Sequence, residues 1–169
     1  MRKNKGFSLL ELLFALSLMV IIFMIIVPSQ NIFLTKSKTD VLSSQLMHAI
    51  ALTRSESIAR GEKVTLCGSR DQITCTYFNN MGYLIFSAEK MLYTLQNTTN
   101  DGVMHWQAFP NGRTDLQYLS SGLTNSENGT FWYCEKNAST PSFAVTVSQS
   151  GRPRVMSTAE IACGDYSCY

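Results

Sequence analysis

The sequence predicts an α+β protein: a long N-terminal helix, apolar in its first half and amphipathic in its second, packed on a β-rich antiparallel head. Three observations support this class. An apolar run of helical length opens the chain, a stripe of helical period follows, and after Gly61 short β-branched and aromatic runs alternate with turn signals. About 140 of the 169 residues follow the apolar run, enough for one compact domain.

Residues 1–6 form a basic leader, and residues 7–28 form an apolar segment. The leader carries Arg2, Lys3 and Lys5. As a helix, the apolar run 7–27 measures roughly 31 Å and is long enough to cross a bilayer, with the leader staying in the cytoplasm. A cleaved secretory signal peptide is the alternative, but the run is long for one, contains Glu11 and lacks a small-residue cleavage site.

A carboxylate one turn into an apolar helix is costly to bury, so Glu11 suggests a function that involves a partner. Gly6-Phe7, Glu11 and Pro28 follow the N-terminal pattern of the type IV pilin family, and GFSLLELLFAL resembles its prepilin signal. The resemblance implies that a prepilin peptidase cuts after Gly6 and that Phe7 becomes the N-methylated first residue. It also implies that Glu11 pairs with the N-terminal amine of a neighbouring subunit, so that neither charge is buried alone.

The overall charge argues against a global attraction to nucleic acid. The chain has 14 basic and 12 acidic residues. Without the three leader residues, 14 − 3 = 11 basic residues face 12 acidic ones, a net charge of about −1. Nucleic-acid binding would therefore depend on a local basic patch.

The cysteines predict disulfides, because the head is expected to face an oxidising compartment. They are Cys67, Cys75, Cys134, Cys163 and Cys168. Cys67 and Cys75 bracket a short loop and could close a hairpin, whereas Cys163 and Cys168 could pin the C-terminal tail or either could reach Cys134. One cysteine is left free, paired between chains or modified. No CxxC motif occurs, so neither a metal site nor a cofactor is expected.

Pro28 predicts a kink, after which residues 29–61 are expected to continue as an amphipathic helix. The helix should end at Arg60 with Gly61 in the C′ position. Its apolar stripe consists of Leu42, Leu46, Ala49, Ile50 and Thr53.

Residues 62–169 are predicted to form the head. The predicted strands are 63–67, 72–78, 83–87, 91–96, 103–109, 116–120, 130–134, 142–148 and 154–157. Turn signals separate several of them, at 79–80, 100–102, 110–112 and 128–129.

Three further segments look like the FimT/GspH group of minor pilins: LTRSESIARGEKVTLC (52–67), GYLIF (82–86) and SGRPRV (150–155). The resemblance covers most of the chain and is weakest between residues 91 and 148. It implies a β-rich head on the C-terminal half of the long helix. One branch of the group belongs to type IV pili and DNA uptake, and the other belongs to type II secretion.

No phosphate-binding loop, dinucleotide fingerprint, HExxH or GxSxG motif occurs, so no enzyme is expected. The candidate site is instead cationic. Arg152 and Arg154 lie two residues apart, so in a strand they share a face, and the proline between them stiffens the segment. Gly151 permits a tight turn and a close backbone approach by a ligand. Two guanidinium forks suit successive phosphates of a nucleic-acid backbone.

SGRPRV also looks like the GRxR motif of DNA-binding FimT proteins, and Arg113 and Lys136 could extend the patch. The alternative is that the two arginines pair with local acids such as Glu160 or Asp165.

The sequence thus predicts a minor type IV pilin that binds DNA non-specifically through an arginine-bearing C-terminal loop during natural transformation. The alternative is a GspH-like pseudopilin of a type II secretion system, structural and protein-binding without a DNA role. The expected partners are DNA, other pilin subunits, the prepilin peptidase and, before assembly, the membrane. The expected location is the bacterial inner membrane, crossed once with the head in the periplasm, and then the pilus and cell surface.

Overall fold

A computed structural model describes residues 8–26, 29–78, 82–88, 90–96 and 102–168 of the chain. The leader, the cleavage point at Gly6 and Phe7, the kink at Pro28 and the turn signals at 79–80 and 100–101 lie outside these residues. The chain divides into two compact units, Met1–Lys38 and Thr39–Tyr169.

In the first unit, helix α1 spans Leu9–Ile26, carries Glu11 in its first turn and exposes its apolar side chains as far as Met24. Within the described ranges, no helix combines the length and apolarity that a membrane crossing requires. The predicted crossing segment, 7–28, extends beyond the described residues at both ends.

Helix α2 spans Ser29–Arg60, and its part from Thr39 onward belongs to the second unit. The predicted stripe is confirmed, because all five of its side chains are buried. The predicted end is confirmed as well: Gly61 has a φ of 66° and donates its N–H to the Ile58 carbonyl at 3.3 Å.

The second unit contains two antiparallel four-stranded sheets, which confirms the α+β class. The first, in the order β3-β2-β1-β5, is built from β1 Val64–Gly68, β2 Gly82–Ser87, β3 Lys90–Gln96 and β5 Leu116–Tyr118. The second, in the order β4-β6-β7-β8, is built from β4 Gly102–Phe109, β6 Asn128–Glu135, β7 Phe143–Val147 and β8 Pro153–Val155. Side chains from both sheets and from the α2 stripe form one hydrophobic core.

The predicted strand at 72–78 is wrong. The Asp71 carboxylate accepts hydrogen bonds from the backbone N–H groups of Ile73 at 3.0 Å and Thr74 at 2.8 Å, so these groups are not available to a strand partner. The segment forms bends, with one isolated bridge between Gly68 and Thr76.

The predicted strand at 154–157 is also partly wrong. β8 ends at Val155, and a short helix, α3, follows at Thr158–Cys163. Ser157 caps this helix in a reciprocal capping box with Glu160, which withdraws the segment from the sheet.

Two disulfides form in the second unit. Cys67 and Cys75 close the predicted hairpin loop, and Cys134 joins Cys168. Cys163, exposed on α3, is the remaining cysteine and has a free thiol. The second disulfide fixes the C-terminal tail over the outer face of β6, where Trp132 Nε1 donates to the Ser167 carbonyl at 3.1 Å.

Candidate functional site

The predicted arginine loop forms the turn of the β7–β8 hairpin, residues 148–152. Val147 pairs with Pro153 at the end of the ladder, and the Ser148 N–H donates to the Arg152 carbonyl at 3.3 Å. The Gly151 N–H donates to the Ser148 carbonyl at 2.9 Å, which tightens the turn. Gly151 is buried and has a φ of 76°, a conformation that side chains other than glycine rarely adopt.

The turn is held in place by residues distant in the sequence. The Tyr118 hydroxyl donates to the Gly151 carbonyl at 3.0 Å, and the Thr124 N–H donates to the Gln149 carbonyl at 3.2 Å. A Cβ at position 151 would clash with the carbonyl oxygen of Gly122 and would lie 2.7 Å from the Tyr118 ring. The close approach that Gly151 permits is therefore taken up by the protein itself, whereas a ligand was predicted there.

The protonation of Tyr118 and one further contact strengthen this support. Burial raises the pKa of Tyr118, so its phenol stays protonated and remains a hydrogen-bond donor at neutral pH. Arg54, on helix α2, donates from Nε to the Gly122 carbonyl at 2.9 Å. The turn thus rests on a loop that is itself fixed to the helix.

Arg152 is the last residue of the turn, and its side chain is exposed. Among the described residues, its guanidinium makes no hydrogen bond or ion pair. Its backbone carbonyl, by contrast, is fixed by the hydrogen bond from Ser148. Arg152 thus has a backbone that is fixed by a hydrogen bond and a charged side chain that an anion can reach.

Arg154 has a carboxylate partner. Its Nη1 and Nη2 donate to the two carboxylate oxygens of Glu160 at 2.9 and 2.8 Å, a bidentate pair. The hydrogen bonds from Arg154 and from the Ser157 N–H and hydroxyl lower the pKa of Glu160 to about 2. The sequence-based alternative, pairing with a local acid, is therefore correct for Arg154.

The other two predicted contacts lie apart from the turn. Lys136 follows β6, whose first residues pair with the end of β7, so it lies at the opposite end of the sheet, about 20 Å along the strand. Arg113 lies in the loop after β4, whose last residue, Phe109, pairs with Asn128 at the same end of the sheet as the turn.

Arg113 also has an acidic neighbour. Its Nε lies 3.4 Å from the carboxylate of Glu127, whose side chain is only 1% exposed. Burial raises the pKa of Glu127, while hydrogen bonding from the Gln117 N–H and the charge of Arg113 act in the opposite direction. Arg113 thus partly neutralises a buried acid.

The role of Arg54 in supporting the turn was not predicted from the sequence. It lies among glutamates in the sequence, where it is typical of a solvated mixed surface, and its contact is with a residue 68 positions away. No local pattern signals such a pairing.

The sequence matches two family profiles. One, described as type II transport protein GspH, covers residues 42–151, and the other, a prokaryotic N-terminal methylation motif, covers residues 1–27. A search of curated proteins finds no significant match.

The fold is shared with two crystal structures of the type IV minor pilin FimU from Pseudomonas aeruginosa strain PAO1. The structure in space group P65 is 16% identical and superposes with a TM-score of 0.57, over 77% of this chain and 99% of FimU. The structure in space group P21 is 14% identical with a TM-score of 0.59, over 81% of this chain and 99% of FimU. Because the identities are this low, the likeness concerns the fold alone.

Proposed function

This chain belongs to the family of the type II transport protein GspH, and we propose that it serves as a minor type IV pilin that binds DNA during natural transformation. The methylation motif makes the prepilin peptidase and other pilin subunits its partners. Cleavage after Gly6, methylation of Phe7 and pairing of Glu11 with a neighbour's amine belong to this proposal. So does a location in the inner membrane before assembly and in the pilus afterwards.

One observation carries the DNA-binding proposal: Arg152 projects from a turn whose backbone is fixed on both sides. A rigid backbone lowers the entropic cost of placing its guanidinium on a phosphate, and an unpaired arginine has no ion pair to break first. Contacts of this kind read no sequence, because phosphate oxygens are the same at every step of the duplex.

Arg154 is expected to contribute less to DNA binding than Arg152 does. Its fork already holds Glu160, so a phosphate must replace the carboxylate before Arg154 can bind it bidentately. Arg113 and Lys136 are further contacts that only a duplex extending across the sheet would reach. With so few charges, one subunit should bind in the non-specific range, about 10⁻⁴–10⁻⁶ M, and several copies on one filament would raise the affinity.

A second candidate is a pseudopilin of a type II secretion system. Two observations favour it: the matched profile itself is described as a type II transport protein, and the Arg154 fork is filled by Glu160. In that function the hairpin packs against another subunit and DNA has no role.

The test uses the full chain in nonionic detergent micelles and short fluorescent duplexes of two unrelated sequences. Arg152→Gln should weaken binding about fivefold to tenfold for both duplexes and reduce the salt slope by about one. The matched control is Arg70→Gln, which removes the same charge from an exposed position in the loop after β1. Equal losses in the two variants, or no binding by the wild type at low salt, would favour the pseudopilin.

A further inference from the structure

β4 is the edge strand opposite β8, and no described strand pairs with its outer side. Proteins usually protect such edges with charged residues, proline or short length, because the free backbone groups invite another strand. β4 has none of these protections: it is eight residues long, GVMHWQAF, and includes no proline, lysine, arginine or acid. Val103 and Phe109 on it are 51% and 68% exposed.

A groove of about 650 Å³ lies along this edge. Six consecutive residues of β4, 103–108, line it, together with Tyr77, Phe78 and residues 111–114. Successive residues of a strand point to opposite faces, so a groove that meets all six runs along the strand's edge. The outer backbone groups of β4, with which no described strand pairs, therefore lie along this groove.

The groove is also lined by aromatic side chains, among them Tyr77, Phe78 and Trp106. Trp106 stacks on Phe131 at a centroid distance of 4.1 Å, and within the described part of the chain its buried Nε1 has no hydrogen-bond partner. Tyr77 is 75% exposed beside it. Because this Nε1 is shielded from solvent, the indole contributes apolar surface to the groove and not a hydrogen bond to a ligand.

The positive charge of the residues that line the groove favours an acidic ligand. Among the described residues, none that lines the groove is an acid. Arg113 is 45% exposed there and meets Glu127 through one 3.4 Å approach, a looser contact than the bidentate pair of Arg154. Burial lowers the pKa of His105, so at neutral pH Arg113 supplies the positive charge of the lining.

We propose that this groove binds an extended acidic segment of a partner protein, which adds as a strand to the outer edge of β4 and places a carboxylate at Arg113. The free backbone edge favours a peptide over a nucleic acid, because only a peptide can continue the ladder. The proposal concerns a different edge from the β7–β8 turn and does not depend on DNA binding.

The probe is a capped eight-residue peptide, Thr-Asp-Val-Thr-Val-Asp-Thr-Val, added to the full chain in nonionic micelles. Binding is followed by tryptophan fluorescence and by hydrogen exchange of the β4 amides. The acidic peptide should slow exchange along β4 and bind at least fivefold more tightly than the same peptide with lysine in place of aspartate. Equal binding of the two peptides, or binding that leaves β4 exchange unchanged, overturns the proposal.

Strand addition is tested by N-methylating alternate amides of the acidic peptide in its two possible sets. Only alternate backbone groups of an added strand face its neighbour, so one set should abolish binding and the other should preserve it. A similar loss with both sets contradicts strand addition. A single-stranded oligonucleotide that slows β4 exchange where the peptide does not would assign the groove to nucleic acid and overturn the proposal.

On the protein side, Arg113→Gln is combined with Glu127→Gln, which removes the charge without leaving the buried carboxylate alone. The double variant should bind the acidic peptide about threefold to tenfold more weakly and a neutral asparagine version of the peptide as well as the wild type does. If the acidic peptide binds the double variant as tightly as the wild type, Arg113 does not select the occupant. The peptide comparisons remain decisive even if this variant does not fold.

Discussion

The two edge strands of the second sheet, β8 and β4, present opposite surfaces to solvent. β8 has three residues, includes Pro153 and Arg154, and is followed at once by a capped helix. β4 has eight uncharged residues beside a groove. Short length, Pro153 and Arg154 protect the β8 edge against strand addition, whereas β4 has none of these protections. One sheet can thus offer two kinds of binding surface, because the two are separated by the width of β6 and β7.

The two disulfides anchor different parts of the head, one joining β1 to the loop after it and the other joining β6 to the C-terminal tail, and removing them should give the largest effects. Cys134→Ser with Cys168→Ser opens a separation of 34 residues and should cost about 4 kcal/mol, whereas Cys67→Ser with Cys75→Ser opens one of 8 residues and should cost about 2.5 kcal/mol. The difference follows from loop-closure entropy. Urea unfolding of the full chain measures both. A larger loss at the shorter loop would show that native contacts of the 67–75 loop outweigh the entropic contribution.

Glycines at the two edges give a matched pair of substitutions. Gly151→Ala forces a φ of 76° on alanine and adds a clash with Gly122, so it should destabilise the fold by about 2–4 kcal/mol. Gly112→Ala has a φ of 99° but meets nothing within 4 Å, so it should cost about 1 kcal/mol. Thermal unfolding of both variants is the measurement. Equal losses would mean that backbone strain alone matters and that the β7–β8 turn is not held tightly.

The glutamates near the two edges should respond to pH in opposite directions. Glu160 has a folded pKa lowered from 4.5 to about 2, so its contribution to stability is present above pH 4.5 and is lost as the pH falls towards 2. Glu127 has a raised pKa, so its protonated form favours folding at low pH, and that contribution is lost as the pH rises above 4.5.

Each contribution makes the free energy of unfolding change with pH in its own range. Glu160→Gln should remove the change at low pH, and Glu127→Gln should remove the change above pH 4.5. Denaturation between pH 2 and pH 7 measures them separately. The assignment of opposite roles fails if both variants flatten the curve in the same pH range.

The smallest expected effect is an increase in DNA affinity. Glu160→Gln weakens the hold on the Arg154 fork, so DNA affinity should rise about threefold at low salt, because a phosphate no longer competes with a carboxylate. Fluorescence anisotropy with short duplexes measures it. Arg60 provides the control, since it forms a similar exposed pair with Glu56, and Glu56→Gln should leave the DNA affinity unchanged. A fall in affinity after Glu160→Gln would show that Arg154 needs its partner to be correctly positioned.

Much of the fold could be predicted because its signals are local. The stripe from Leu42 to Thr53 follows directly from helical spacing, and the end of α2 follows from Gly61. The segment 72–78 was mispredicted because its β-forming residues follow Asp71, whose side chain takes up their N–H groups. Helix α3 did have a signal, the serine and glutamate of its capping box at Ser157 and Glu160.

The residues of the candidate site could be predicted from the sequence, but the ion pairs that its arginines form could not. The arginines of the turn stand out in the sequence, yet whether each one is paired depends on chain geometry. Glu160 reaches Arg154 because β8 ends and α3 begins within six residues, whereas Arg152 lies before the strand. The support of Gly151 by Tyr118 and Arg54 comes from distant parts of the chain. The β4 groove was not predicted, because an edge strand is defined only once the strand order is known.

The most direct test of the division between the two edges is to map a bound DNA duplex on the full chain by hydrogen exchange. For a duplex too short to extend across the sheet, we predict slower exchange at residues 148–155 and no change along β4. Slower exchange along β4 with the turn unaffected would contradict it, because the DNA would then occupy the edge that the structure leaves open to a peptide.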